Sequence, residues 1–96
     1  MALLQTRVRE RANFADPVDL TVQIQSALAA LADVETRYEA DQAQVEQLTG
    51  PAAWKAQLRA GVEARHLRDR EPLVRRLAAL HREMTSALIL KSFSPH

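Results

Sequence analysis

Apolar residues recur along the first half of the chain at alternating steps of four and three residues. This spacing places them on one side of a helix, which turns by about 100° per residue. The stripe consists of Leu20, Ile24, Ala27, Leu31, Val34, Tyr38, Asp41, Val45 and Leu48, and Leu28 widens it. Apart from Asp41 it has the pattern of the a and d positions of a coiled coil. It predicts one long helix with an apolar side.

Capping residues mark the ends of this helix. Asp16 can accept hydrogen bonds from the free N–H groups of a first turn, and Pro17 suits the first helical position. At the other end, Gly50 suits the left-handed residue that follows many helices, and Pro51 cannot continue the same helix. We therefore predict a helix over residues 17–48 and a second helix that begins at the second proline.

The second half carries two apolar stripes that do not share one phase. The early stripe consists of Trp54, Leu58, Gly61 and Val62, and the later one of Leu73, Val74, Leu77, Leu80, Met84, Leu88 and Ile89. Steps of seven from the tryptophan reach arginines, so the register slips between the stripes. Pro72 lies there, and proline removes a backbone hydrogen bond and crowds the preceding turn. We predict a helix over 51–91, kinked or broken near Pro72, and a frayed tail over 92–96.

The short connection Thr49-Gly50 requires the two helices to lie antiparallel. Folding the chain at this point pairs residues whose numbers sum to about 100. The expected neighbours are Val45 with Trp54, Asp41 with Arg59, Tyr38 with Gly61 and Val62, and Ile24 with Leu77. The glycine of the third pair would leave room for the tyrosine ring.

The first and second halves of the chain carry opposite net charge. The net charge of +1 combines +2 over residues 1–14, −6 over 15–48 and +5 over 49–96. A hairpin lays the acidic first helix along the basic second one. Such complementarity is expected to select orientation and partner more than to add stability.

Several classes of protein are excluded or disfavoured by composition. The chain has no cysteine, which excludes disulfides and thiolate metal sites. Its longest uncharged run, 20–32, is too short and too polar to span a bilayer, and the N-terminus lacks the apolar region of a secretory signal. We therefore expect a cytoplasmic protein that does not enter membranes.

A two-helix hairpin buries one side of each helix, whereas the apolar stripes are wider than a single seam. We therefore predict a single all-α domain over 1–96, with a short amphipathic segment at 1–14, that dimerises into a four-helix bundle or docks onto partner helices. The expected interface comprises Leu20, Ile24, Leu28, Leu31, Val34, Tyr38, Leu73, Val74, Leu77, Leu80 and Met84. The predicted function is that of a non-enzymatic structural or interaction module without a cofactor.

Two other functions compete with this interpretation. The basic run 65–70, continued by Arg75 and Arg76, could bind phosphate in a nucleic acid, although interspersed acids and the lack of neighbouring aromatics disfavour it. The Glu63 and His66 pair has the E-x-x-H spacing of carboxylate di-metal bundles, and a dimer could form such a site. Its weak candidate ligands are Glu63, His66, Glu35 and Glu39. No arrangement of residues indicates catalysis.

Overall fold

The computed structural model describes residues 16–93, which form two α-helices and a short link. Helix α1 covers Pro17–Gln47 and helix α2 covers Ala52–Phe93. They pack against each other as an antiparallel hairpin, and this part of the chain contains no strand. At about 1.5 Å per residue, α1 is about 46 Å long and α2 about 63 Å. The all-α hairpin is confirmed, while the predicted segment 1–14 and the last three residues of the tail lie outside the described residues.

Helix α1 begins as its capping residues predict. The Oδ1 atom of Asp16 accepts a hydrogen bond from the backbone N–H of Val18 at 3.0 Å, and Pro17 occupies the first turn. The carbonyl of Asp16 accepts from the N–H of Leu20, also at 3.0 Å. The side chain thereby satisfies one of the donors that a helix start leaves free, and the carbonyl accepts the first backbone bond of the helix. The predicted start is confirmed.

The end of α1 differs from the prediction in its backbone conformation. The helix ends at Gln47, and Leu48 is extended, with φ −75° and ψ 142°. Gly50 does not adopt the left-handed conformation, so that prediction is wrong. A glycine is needed for a steric reason, because a Cβ atom at this position would lie 2.7 Å from Cε3 of Trp54. The indole ring therefore lies directly over the backbone of the link.

Of the two predicted alternatives, a kink or a break near Pro72, the break is wrong, because helix α2 passes through Pro72 without interruption. The proline lies on the exposed side of the helix. Water can therefore take over the hydrogen bond that proline cannot donate to the carbonyl of Arg68. The missing hydrogen bond therefore destabilises only the turn that contains Pro72, and α2 remains one helix.

The register slip predicted for α2 is also wrong. Its less exposed positions facing α1 are Lys55, Leu58, Val62, His66, Asp69, Leu73, Leu77, Leu80, Met84 and Ala87. From Lys55 to Met84 they follow steps of three, four and four, an eleven-residue spacing close to the 3.6 residues of a straight helical turn. Trp54 lies outside this seam and is 41% exposed. The apparent slip arose because the heptad spacing started from Trp54, which does not face α1.

Apolar packing is concentrated near the open end of the hairpin. Leu20, Ala27, Leu80 and Ala87 form a buried cluster, against which half-buried apolar residues of both helices pack. Val45 is buried separately, near the link. Between these two regions, polar side chains occupy the contact between the helices. The hairpin thus has two apolar segments separated by a polar layer.

Candidate functional site

The polar layer is centred on His66, which lies at an inward position of α2. Its Nε2 atom is 2.8 Å from Oε1 of Glu35 on α1, and its side chain is 15% exposed. An ionised carboxylate can only accept, so Nε2 carries the hydrogen and donates it. The imidazole ring also stacks on Tyr38, with ring centroids 4.0 Å apart and planes 12° from parallel. One side chain of α2 is therefore held by two side chains of α1.

Further partners extend this layer outward. The Nε atom of Arg70 lies 3.5 Å from the same Oε1 of Glu35, so the carboxylate faces two donors. The hydroxyl of Tyr38 accepts a hydrogen bond from Nε2 of Gln42 at 3.0 Å. The expected pairing of this tyrosine with Gly61 is wrong, since a Cβ atom at Gly61 would meet nothing within 4 Å.

Only two of the four candidate metal ligands come together. Glu35 contacts His66, whereas Glu39 is exposed. Glu63 lines a shallow open groove of about 300 Å³ near the link. The other residues of the groove are Gln42, Ala43, Val45, Glu46, Arg59 and Val62. Within residues 16–93, no three His, Cys, Asp or Glu side chains are arranged to hold a metal ion.

A second polar cluster joins the helices beside the link. Arg59 donates from Nε to Oε1 of Glu46 at 2.7 Å and from Nη2 to Oε2 at 3.4 Å. Lys55 donates from Nζ to the carbonyl oxygen of Glu46 at 3.3 Å. The hydrogen bond from Arg59, and then its charge, lower the pKa of the Glu46 carboxyl, and the same carboxyl raises the pKa of Arg59. Arg59 therefore pairs with Glu46 and not with Asp41 as expected.

The basic run on α2 is partly matched by acids. Arg65 lies 3.9 Å from Asp69, which also approaches Arg37 of α1 at 3.9 Å. Arg75 lies 3.4 Å from Glu71, one helical turn earlier. These pairs are exposed, and such pairs contribute about 0–1 kcal/mol each. The acids interspersed in the sequence thus lie beside arginines in the structure.

The side chains predicted to form an interface fall into two groups. Most are enclosed by the hairpin itself, with Leu20 and Leu80 buried. The half-buried ones are Ile24, Leu31, Val34, Tyr38, Leu73, Leu77 and Met84. Leu28 and Val74 differ, because they are 50% and 37% exposed. These two remain available for contact outside the hairpin.

Ion pairs between the helices distinguish the two sides of the hairpin. We call the side on which Glu35 pairs with Arg70 the front face, and the side on which Arg37 pairs with Asp69 the back face. Each pair joins α1 to α2 across one edge of their contact. Another residue lies on the same face as one of these four when three, four or seven positions separate the two on the same helix.

Leu28 and Val74 both lie on the front face. Leu28 precedes Glu35 by seven residues, and Val74 follows Arg70 by four, spacings that keep a side chain on the same side of its helix. Along α2, His81 and Leu88 follow Val74 at further steps of seven and are also exposed. The front face therefore carries an apolar surface toward the open end of the hairpin.

Comparison of the chain with protein-family models, with curated proteins and with solved structures found no match. Over residues 16–93, neither helix has a stretch long and apolar enough to cross a membrane.

Proposed function

We propose that this protein is a non-enzymatic interaction module that self-associates through the front face of its hairpin. One observation carries the proposal: Leu28 of α1 and Val74 of α2 lie on the same face, and both leave much of their side chain in water. A second copy of the chain offers the same apolar surface in return. An interface formed by one surface on both subunits is the commonest arrangement among homo-oligomers.

The small core of the hairpin supports the need for such a contact. Among the described residues, five apolar side chains are buried, and two of them are alanines. Long rods in a chain of this size bury too little apolar surface to be robust alone. Covering one large aliphatic side chain stabilises by about 1.5–3 kcal/mol. The hairpin already covers about half of Leu28 and about two thirds of Val74, so a dimer would add only the corresponding fraction of that free energy for each side chain.

The charge distribution on the front face also favours contact near the open end. Residues 20–32 of α1 carry no charge. On α2, the front-face positions from Val74 to Leu88 carry no Asp, Glu, Lys or Arg. Two copies can meet there without removing an ion from water, which costs several kcal/mol per charge.

Molar mass measured by light scattering at tens of micromolar protein tests the proposal. We expect about twice the 10.8 kDa of one chain. The variants Leu28→Glu and Val74→Glu place a charge in the proposed interface and should be monomers.

Val22→Glu is the matched control. Val22 is an exposed aliphatic residue of α1 that lies about 120° around the helix from Leu28. This variant should remain dimeric. A wild-type chain that stays monomeric at these concentrations would refute the proposal, and equal dissociation of all three variants would place the interface elsewhere.

A further inference from the structure

We infer that residues 1–15 pack against the C-terminal turn of α2 in the same copy of the chain and cover Leu90 there. This contact lies outside the front-face residues Leu28 and Val74, so it goes beyond the proposed self-association and does not depend on it. Three features of the molecule favour it: the distribution of exposed apolar side chains, the extension of α2 past the start of α1, and the place where residues 1–15 join the hairpin.

The large apolar side chains left exposed are concentrated in the half of the hairpin away from the link. Within residues 16–93, seven of the ten lie in that half: Val18, Val22, Leu28, Val74, Leu88, Ile89 and Leu90. Apolar side chains clustered at a surface mark a place where another segment or molecule makes contact. The open end of the hairpin is therefore where a cover would stabilise the fold most.

Helix α2 extends past the start of α1. The residue numbers of the ion pairs that join the two helices sum to between 101 and 106. This counting places Pro17 level with residues 84–89 of α2, whereas α2 continues to Phe93. No part of α1 therefore lies beside the last turn of α2, and Leu90 in that turn is 65% exposed.

The chain that enters α1 approaches one side of this turn. Because the helices are antiparallel, the residues before Asp16 leave the hairpin at the end where α2 extends past α1. Leu90 follows the buried Ala87 by three residues, which keeps it on the side of α2 that faces α1. Ile89 follows Ala87 by two residues, about 200° around the helix, and faces away. A segment that continues from the start of α1 would thus meet Leu90 and not Ile89.

Residues 1–15 have the composition that this contact requires. They include the apolar residues Leu3, Leu4, Val8 and Phe14. They also carry three arginines and one glutamate, a net charge of +2. At this end of the hairpin the acids Asp16 and Asp19 outnumber the base Lys91, so a positively charged segment is favoured there.

Covalent connection favours this segment over a second copy of the chain. Fifteen residues reach up to about 50 Å when extended, so every part of the last turn of α2 is within range. A group joined by a short connection has an effective concentration on the order of millimolar, roughly a hundredfold above that of a second copy at tens of micromolar. A contact too weak to hold a free partner is therefore made by residues 1–15.

A double-mutant cycle in the full chain tests the contact. The N-terminal change replaces Leu3, Leu4, Val8 and Phe14 by alanine, and it is combined with Leu90→Ala. In the otherwise unchanged chain, Leu90→Ala should raise the unfolding equilibrium constant at least about threefold, and in the N-terminal variant it should have almost no effect. Ile89→Ala is the matched control, a neighbouring aliphatic residue that is 50% exposed, and its effect should be the same in both backgrounds.

Protein concentration distinguishes residues 1–15 from a second copy. The stability of a dimer depends on concentration, whereas a contact within one chain does not. The coupling of Leu90 to the N-terminal residues should therefore be equal at protein concentrations about tenfold apart. Coupling that appears only at the higher concentration would overturn the inference and support self-association. A monomeric chain that retains the coupling would overturn the proposed function alone.

Thiol modification provides a second readout that does not require unfolding. The chain contains no cysteine, so Leu90→Cys and Ile89→Cys each introduce a single thiol. The thiol at position 90 should react several-fold more slowly with a soluble reagent than the thiol at position 89, and the N-terminal change should remove the difference. Equal rates in the unchanged background, or equal coupling of both positions in the cycle, would overturn the inference.

Discussion

The phenol ring of Tyr38 lies flat against the imidazole ring of His66, with 4.0 Å between their centroids. The same imidazole donates a hydrogen bond to Glu35, less than one helical turn earlier on α1. A shift of α2 by one turn would separate both contacts at once, because a turn moves each side chain by about 5.4 Å. This pair of contacts therefore fixes the register of a hairpin whose remaining seam is largely aliphatic.

Substitutions of His66 should show how much each of its two contacts contributes to the free energy of unfolding. His66→Ala removes the stacking and the hydrogen bond, and should lower the free energy of unfolding by about 1–3 kcal/mol. His66→Phe retains a ring against Tyr38 and should recover part of that loss. Denaturant unfolding at one protein concentration measures both, with the exposed Gln44→Ala as the control. Equal losses in the two His66 variants would show that the ring contact contributes nothing.

The two glycines should respond in opposite directions to alanine. Gly50→Ala places a Cβ 2.7 Å from the Trp54 ring and should destabilise by about 1–3 kcal/mol. Gly61→Ala lies inside α2 with open space around its Cβ and should stabilise by about 0.5–1 kcal/mol. Thermal unfolding measures both shifts. In a Trp54→Ala background, Gly50→Ala should no longer be destabilising. A destabilisation that persists would show that the backbone conformation of the link, and not the indole ring, requires the glycine.

Truncation of core leucines should follow their burial. Leu80 is 5% exposed, so Leu80→Ala should cost about 2–5 kcal/mol. Leu31 is only half-buried in the hairpin, and Leu31→Ala should cost less but still lower the thermal midpoint clearly. Gln44→Ala on the outer side should have almost no effect. Similar midpoints for all three variants would show that the helical phase of the core is wrong.

The Glu46–Arg59 pair should make stability depend on pH at the acid end. Because the folded protein lowers the pKa of Glu46 below its ordinary 4.5, ionised Glu46 stabilises the fold above that value. This contribution is lost as the pH falls through the lower pKa of the folded state. Glu46→Gln should therefore be less stable than the wild type at pH 7, and the difference should vanish on acidification. The exposed Glu39→Gln is the matched control, and a loss at pH 7 as large as that of Glu46→Gln would contradict the assignment.

Local chemistry alone determined where the helices begin and that they form a hairpin. The carboxylate of Asp16 and the ring of Pro17 act within one turn, so their effect could be read without knowing what α1 packs against. Pro51 ends one helix and precedes the next for the same reason. Counting positions across the short link also brings Glu35 opposite His66, because their numbers sum to 101, although the same counting brings the exposed Glu39 near this level as well.

Tertiary packing decided which side of α2 faces α1. Trp54 is the most apolar residue of the first turns, yet Lys55 occupies the seam because its methylene stem packs inward while Nζ reaches the carbonyl of Glu46. The ring that covers Gly50, and the exposed side on which Pro72 is tolerated, follow from that rotation. These outcomes depend on the shape and polarity of the facing helix, which no spacing within α2 encodes.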